Sequence, residues 1–220
     1  MAKPYFTLNL DVENKPCLVV GGDEEALEKS ERLIEARADL TIVAKKAIPA
    51  LVDFCKKTGA KLELREFQDT DIPGKFFCLN CVKTEHPLSK RIFDLCITHH
   101  CLISAYDQPE VSNAVMQALV RAGSFRIAIG SGGASPGLAS AIRKSLEKVL
   151  DEDFVKFSEW VIALRECAIE KGDTPAQRKD KFKKLLEGFK IEGKITYPEI
   201  YERQGGKIEN KDGTYLSGKN

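Results

Sequence analysis

The sequence predicts an α/β fold, a parallel sheet covered by helices, and three observations carry that prediction. Apolar strand-like runs at residues 5–10, 16–20, 40–43, 61–65, 76–82 and 101–105 alternate with stretches of helical spacing, the pattern of strands joined by crossover helices. The run Cys17-Leu18-Val19-Val20 is continuously apolar, as a strand buried on both faces must be, and passes through Gly21-Gly22-Asp23 straight into Glu24-Glu25-Ala26. At 220 residues the chain is long enough for one such domain with a smaller appendage.

Each helix has an apolar stripe to lay on the sheet. Ala26, Leu27, Leu33 and Ile34 share one face of a helix over residues 24–36, and Ile48, Leu51, Val52 and Cys55 make a second. Leu88, Ile92, Phe93 and Cys96 repeat the spacing over residues 86–99. Past Asp107-Gln108-Pro109 the pattern changes. Residues 113–120 suit a helix by their alanine, leucine and methionine content, or a strand pairing with residues 125–130 across Ala122-Gly123-Ser124, and local sequence leaves both open. Gly130-Ser131-Gly132-Gly133-Ala134-Ser135-Pro136 is then a loop in which Ser135 stands as N-cap and Pro136 as first helical residue. Leu138, Ile142, Leu146 and Val149 line one side of the helix that follows, and Phe154, Phe157, Val161, Leu164 and Ala168 line the next. A short helix is expected around residues 179–189, and a polar, glycine-containing, mobile tail over 204–220.

Composition narrows the partners. Thirty-four basic residues nearly balance 33 acidic ones, so no overall field favours nucleic acid or an anionic membrane. Met-Ala-Lys-Pro carries no apolar signal region and no run is long enough to span a bilayer, which gives a cytoplasmic expectation. Seven cysteines is an odd number, and Cys17, Cys78, Cys81 and Cys101 fall in strand-like runs, which favours reduced, buried thiols. Cys78-Leu79-Asn80-Cys81 beside His99-His100-Cys101 invites a metal site. A strand would send Cys78 and Cys81 to opposite faces, however, and no second ligand pair follows, so no metal is expected.

The chemistry begins at the first glycine turn. In the G-x-G-x-x-G/A turn of a Rossmann-like fold the first glycine makes the bend and the second lets the backbone approach a dinucleotide pyrophosphate at the helix N-terminus. Here Gly21 and Ala26 hold the first and third places, and Asp23 holds the second. A carboxylate there adds bulk and negative charge beside the phosphate site, which predicts weakened cofactor binding; it also suits Asp23 as N-cap of the following helix, and the two roles are compatible. Gly22, Val43, Val82 and Lys83 complete the candidate cofactor set at the strand ends. Val43-Ala44-Lys45-Lys46 lacks the acidic residue that commonly receives ribose hydroxyls, so Lys45 or Lys46 either meets a 2′-phosphate or is a solvated loop lysine.

Three stretches together resemble the siroheme synthase N-terminal family, the precorrin-2 dehydrogenases and sirohydrochlorin ferrochelatases. They are Tyr5-Phe6-Thr7-Leu8-Asn9-Leu10 with Cys17 to Ala26 and Lys29; Ile103-Ser104-Ala105-Tyr106-Asp107-Gln108-Pro109; and Ile127-Ala128-Ile129-Gly130 with the Ser131 to Pro136 loop. The resemblance runs from about Pro4 to about Leu164. It implies NAD⁺-dependent oxidation of precorrin-2 to sirohydrochlorin, with Fe²⁺ insertion to give siroheme in bifunctional members. Asp107 matches the family's general base, and Ser131, Gly132, Gly133 and Ser135 lie by analogy beside the tetrapyrrole. On local chemistry alone Asp107 is equally a turn residue before Pro109, and the serine–glycine loop an ordinary hairpin-to-helix connection. The resemblance also implies a homodimer. The expected organisation is a Rossmann-like domain over 1–112, a dimerisation and loop segment over 113–150, a helical C-terminal region over 151–203, and the tail.

The departures from the family concentrate on the nucleotide side. Besides Asp23, Arg37 replaces the glycine expected after the first helix, Asn80-Cys81-Val82-Lys83-Thr84 stands for a small-residue turn, and Ala114-Val115-Met116-Gln117 replaces Phe-Ile-Met-Pro. Three functions follow from this pattern. They are tetrapyrrole processing with dehydrogenase activity, metal insertion without redox chemistry, and a non-catalytic tetrapyrrole carrier or regulatory dimer with a decayed NAD site.

Overall fold

A buried parallel sheet forms the centre of the first of two units. The computed structural model describes residues 5–198 and the strand residues 208–209 and 215–216. The unit boundary falls between Glu159 and Trp160. Strands β1 (Pro16–Val20), β2 (Asp39–Ala44), β3 (Lys61–Leu64), β4 (Phe77–Asn80) and β5 (Leu102–Ala105) pair in parallel in the order β3-β2-β1-β4-β5. The order reverses direction between β1 and β4, so the chain leaves those two strands toward opposite sides and opens a crevice at their carboxyl ends.

The helices cover both faces. On one face α1 (Glu24–Glu35) and α2 (Pro49–Thr58) pack Ala26, Leu33, Leu51 and Cys55 onto Cys17, Val19, Leu40, Ile42 and Leu79. On the other, α3 (His86–Thr98) packs Ile92 and Cys96 onto Leu18, Val20, Val43, Cys78 and Ile103. Alternate residues of β1 therefore enter different cores, which is why the whole strand must be apolar. Cys78 and Cys81 likewise lie in opposite cores, as the spacing requires. Among the described residues no group of three His, Cys, Asp or Glu could hold a metal ion. No helix of the described residues is long and apolar enough to cross a membrane.

Buried polar groups fix the ends of this sheet. Asn80 is fully buried; its Nδ2 donates to Ser89 Oγ on α3 at 2.9 Å and its Oδ1 accepts from the Val82 N–H at 3.0 Å, which sets the path of the chain leaving β4. Gln108 Nε2 donates to the Val82 carbonyl at 2.8 Å, tying the segment after β5 to the segment after β4. Arg65 grips Asp71 through two hydrogen bonds, at 2.6 and 2.8 Å, and fixes the chain after β3.

The expected strand over residues 5–10 does not form. That segment is exposed, with Phe6 at 87%, and its backbone pairs with no strand among the described residues. Alternation of Phe6, Leu8 and Leu10 satisfies the strand pattern, but a strand also needs a neighbour to pair with, and among the described residues this segment pairs with neither edge of the sheet, β3 or β5. Residues 113–120 form no helix, and only their last three join a strand: β6 (Ala118–Ala122) pairs antiparallel with β7 (Phe125–Ile129) across Gly123, whose φ of 58° suits the hairpin turn, while residues 113–117 are irregular. Asn113 is drawn away from helix formation because its Oδ1 accepts from the Ile103 N–H at 2.8 Å, at the start of the link from β5.

Helix α4 (Pro136–Val149) begins as expected, with Ser135 as N-cap, and packs Leu146 with Val120, Ala122 and Leu150 against the hairpin. Leu138, Ile142 and Val149, which share the side of Leu146, are left exposed. Helix α5 (Glu152–Glu170) runs across the unit boundary. The second unit adds α6 (Pro175–Leu185), started by a capping box in which Thr174 and Gln177 exchange hydrogen bonds. It also holds a short antiparallel pair, β8 (Ile208–Glu209) and β9 (Tyr215–Leu216). The rest of the expected mobile tail lies outside the described residues.

Candidate functional site

Strand register brings the site together. β1 and β4 lie side by side with Val20 opposite Asn80, so residues three positions beyond each meet at the mouth of the crevice. Those residues are Asp23 and Lys83, and they form an ion pair at 2.7 Å, Lys83 Nζ to Asp23 Oδ2. The side chains are 34% and 44% exposed. Lys83 also lies over the Tyr106 ring, 5.0 Å from its centroid, so one ammonium bridges the ends of β1, β4 and β5.

Asp23 has two further tasks. Its backbone is extended and its side chain accepts from the Ala26 N–H at 3.1 Å, capping α1 as its position suggested. Burial pushes its pKa up, but hydrogen bonds from Lys83 and from the Ala26 N–H outweigh burial and hold it below the ordinary carboxylate value. The negative charge expected to repel a phosphate is thus met inside the protein. A cation and a helix N-terminus surround it, and the paired side chains carry no net charge.

Asp23 lines a cleft of about 650 Å³ whose walls also include Gly21, Gly22, Val43 and Val82; Lys83 is not part of the lining and reaches it through Asp23. Gly22 is confined by close backbone approach: a Cβ there would come within 1.9 Å of the Lys46 carbonyl oxygen. Its own carbonyl accepts from the Ile48 N–H at 2.8 Å. Gly21, at φ 138°, sits where a Cβ would come within 2.9 Å of Cys81 Cβ. The glycines are needed here to seat the turn against β2 and β4. Burial, reinforced by the charges of Glu25 and Asp23, pushes the Cys81 thiol up to about 12, so this wall residue stays protonated and is no nucleophile.

The cleft fits a dinucleotide. Val20, Val43, Ala44, Phe67 and Leu88 give an apolar bed for a nucleoside, and the start of α1 gives the pyrophosphate a positive end once Lys83 has neutralised Asp23. Asp107 and the serine–glycine loop are not part of this lining. Asp107 is exposed, with φ 53°, at the end of β5 next to Tyr106. The loop stands apart, between β7 and α4. Its Ser131 Oγ accepts from the Ser135 N–H at 3.0 Å, while Gly132 and Gly133 have φ of 61° and 83°. Sequence reasoning named Lys83 and Asp23 but not their pairing, and gave Tyr106 and Gln108 no role of their own. The register Val20 to Asn80 was the signal that would have paired Lys83 with Asp23.

A protein-family model described as "Putative NAD(P)-binding" matches residues 8–118, about half of the chain. Two similar proteins are siroheme synthases. That of Ruthia magnifica subsp. Calyptogena magnifica is 26% identical over 210 residues, 96% of this chain and 44% of the relative. That of Vesicomyosocius okutanii subsp. Calyptogena okutanii is 28% identical over 155 residues, 70% of this chain and 33% of the relative. The chain thus spans less than half the length of these curated relatives. Among solved structures, "SirC, precorrin-2 dehydrogenase" superposes with a TM-score of 0.70 at 18% identity, over 84% of this chain and 90% of that one, a likeness of fold.

The Asp23 cap and ion pair predict a pH signature. A carboxylate whose folded pKa lies below its unfolded value, ~3.9, stabilises the fold fully above that value and ceases to do so as pH falls through the folded one. Asp23→Ala is expected to cost about 1 kcal/mol in urea unfolding at neutral pH, the usual worth of a cap, and the deficit is expected to shrink as pH falls below ~4. A deficit independent of pH would mean that the charge of Asp23 does not contribute.

Proposed function

The chain belongs to the siroheme synthase N-terminal family, with the NAD(P)-binding family model matched over residues 8–118, and from that premise we propose that it oxidises precorrin-2 to sirohydrochlorin. The observation that carries the proposal is the cleft at the β1/β4 reversal, with Gly21, Gly22 and the Asp23–Lys83 pair at its mouth and the Asp107 segment hydrogen-bonded to its rim. Nicotinamide dinucleotides supply a hydride acceptor. Dehydrogenation removes a hydride and a proton from the reduced macrocycle; Asp107, as an exposed carboxylate, is the proposed proton acceptor. Gly21, Gly22, Asp23, Val43, Val82 and Lys83 would hold the dinucleotide. Ser131, Gly132, Gly133 and Ser135, with the start of α4, would face the substrate's carboxylates.

Insertion of Fe²⁺, as substrate, is the second reading. What favours it is that Asp107 stands outside the dinucleotide cleft, so a carboxylate able to take protons from ring nitrogens does not depend on an occupied nucleotide site. Segment 113–150 is the proposed dimerisation region. Phe125 and Ile127 on β7 and Leu138, Ile142 and Val149 on α4 leave an exposed apolar surface that a second copy would bury.

Anaerobic turnover of precorrin-2 with each dinucleotide, followed by sirohydrochlorin absorbance, tests the function. Asp107→Asn is expected to lower kcat by about 100-fold or more with unchanged thermal unfolding. A wild-type rate would remove Asp107 from the mechanism, metallation without oxidation would favour the second reading, and neither activity would leave a tetrapyrrole carrier. Sedimentation equilibrium is expected to give twice the chain mass; a monomer at all concentrations would contradict the dimer.

A further inference from the structure

We infer that the buried Ser112 and Gln108 are positioning residues for the proposed oxidation, bracing Asp107 in a left-handed backbone conformation that keeps its carboxylate exposed and free. The inference rests on the reading of Asp107 as proton acceptor and supplies what holds it.

Asp107 takes the third position of the turn Ala105-Tyr106-Asp107-Gln108, which the Gln108 N–H closes by donating to the Ala105 carbonyl at 3.4 Å. Its φ is 53° while that of Tyr106 is not positive, the sign pattern of a type II turn, which ordinarily puts glycine in this place. Left-handed backbone is costly for a residue with a Cβ, and aspartate usually recovers part of the cost by hydrogen-bonding its side chain to nearby backbone. Asp107 does not. Among the described residues its carboxylate has no hydrogen bond and no ion pair, and the residue is exposed. A carboxylate that served its own turn would be engaged there. This one is free, so other groups must hold the turn.

Both peptide groups that flank Asp107 are pinned. Gln108 Nε2 donates to the Tyr106 carbonyl at 3.4 Å on one side, and the bond from the Gln108 N–H to Ala105 fixes the other. Ser112 Oγ closes the brace from across the turn. It accepts from the Ala105 N–H and donates to the Gln108 carbonyl, each at 2.9 Å, so the first and last residues of the turn share one hydroxyl. Ser112 is 8% exposed and Gln108 5%, so water competes little for these bonds. The same Gln108 amide donates to the Val82 carbonyl at 2.8 Å, and the Tyr106 N–H donates to the Asn80 carbonyl at 2.8 Å, which ties the braced turn to the end of β4. Asp107 is thereby held at a set place relative to Val82, a wall residue of the cleft. A proton acceptor needs such a fixed relation to the group that receives the hydride.

Anaerobic precorrin-2 turnover and urea unfolding of the full chain test this together. Ser112→Ala is expected to lower kcat about tenfold or more with KM within about twofold, because aim rather than binding is lost. Ser112→Thr, which keeps the hydroxyl, is expected to recover most of the rate, and Gln108→Met, which keeps the length and removes both donors, to act as Ser112→Ala does. In the Asp107→Asn background Ser112→Ala is expected to change kcat no further, since the carboxylate it acts through is already gone. Equal losses in the two backgrounds, or a wild-type rate for Ser112→Ala, would overturn the inference. Unfolding reads the brace without substrate. Asp107→Gly is expected to have a higher urea midpoint than Asp107→Ala, as a left-handed position requires, and a smaller lead over it once Ser112→Ala is added. Equal midpoints for the two variants, or a lead that Ser112→Ala leaves unchanged, would also overturn it. A wild-type rate for Asp107→Asn would overturn the proton-acceptor reading and the catalytic use of the brace with it, while the unfolding comparison would still decide whether Ser112 holds the turn.

Discussion

The ion pair between Asp23 and Lys83 decides what the rest of the site can do. It joins the turn after β1 to the turn after β4 at 2.7 Å, across the point where strand order reverses. Both side chains are more than a third exposed, so the pair adds little to stability beyond the cap that Asp23 places on α1. Its effect is on the field. A carboxylate standing where the backbone should approach a phosphate would oppose an anion if bare; paired with Lys83, it leaves the helix N-terminus as the dominant local dipole. The Tyr106 ring under the same ammonium extends the connection to the segment carrying Asp107.

Close packing gives that pair a fixed base. Gly22 is pressed against the Lys46 carbonyl and Gly21 against Cys81, so the turn is held between β2 and β4 by backbone contacts that no larger residue would permit. Asn80 and Gln108 use buried hydrogen bonds to hold the neighbouring loop, and with it Lys83, in place. The cleft is thus assembled from three strand ends whose register was settled in the core. The serine–glycine loop and the exposed apolar side of α4 form a separate region, built on the β6/β7 hairpin rather than on the sheet.

Much of this was legible in the sequence because its causes are local. The parallel strands announced themselves as apolar runs, the helices by their stripes, and Asp23 and Ser135 as caps by their positions before Glu24 and Pro136. What escaped depends on partners distant in sequence. Phe6, Leu8 and Leu10 alternate as a strand should, yet no edge within the described chain receives them. Residues 113–120 had helix-forming composition, but the pairing of β6 with β7 and the bond from Asn113 to β5 decided otherwise. Lys83 was visible as a cofactor-side residue, whereas its neutralisation of Asp23 required knowing that Val20 and Asn80 are neighbours. For the same reason, sequence could not show that the charge of Asp23 is paired.

The claim that Lys83 makes Asp23 compatible with an anionic ligand is tested most directly by a double-mutant cycle on dinucleotide affinity, with NAD⁺ and NADP⁺ titrated into the unmodified chain, Lys83→Ala, Asp23→Gly and the double variant. Lys83→Ala is predicted to weaken binding about tenfold when Asp23 is present and far less when position 23 is glycine, a coupling within the range for directly contacting charged residues. Equal losses in the two backgrounds would contradict the account, because Lys83 would then act on the ligand independently of Asp23.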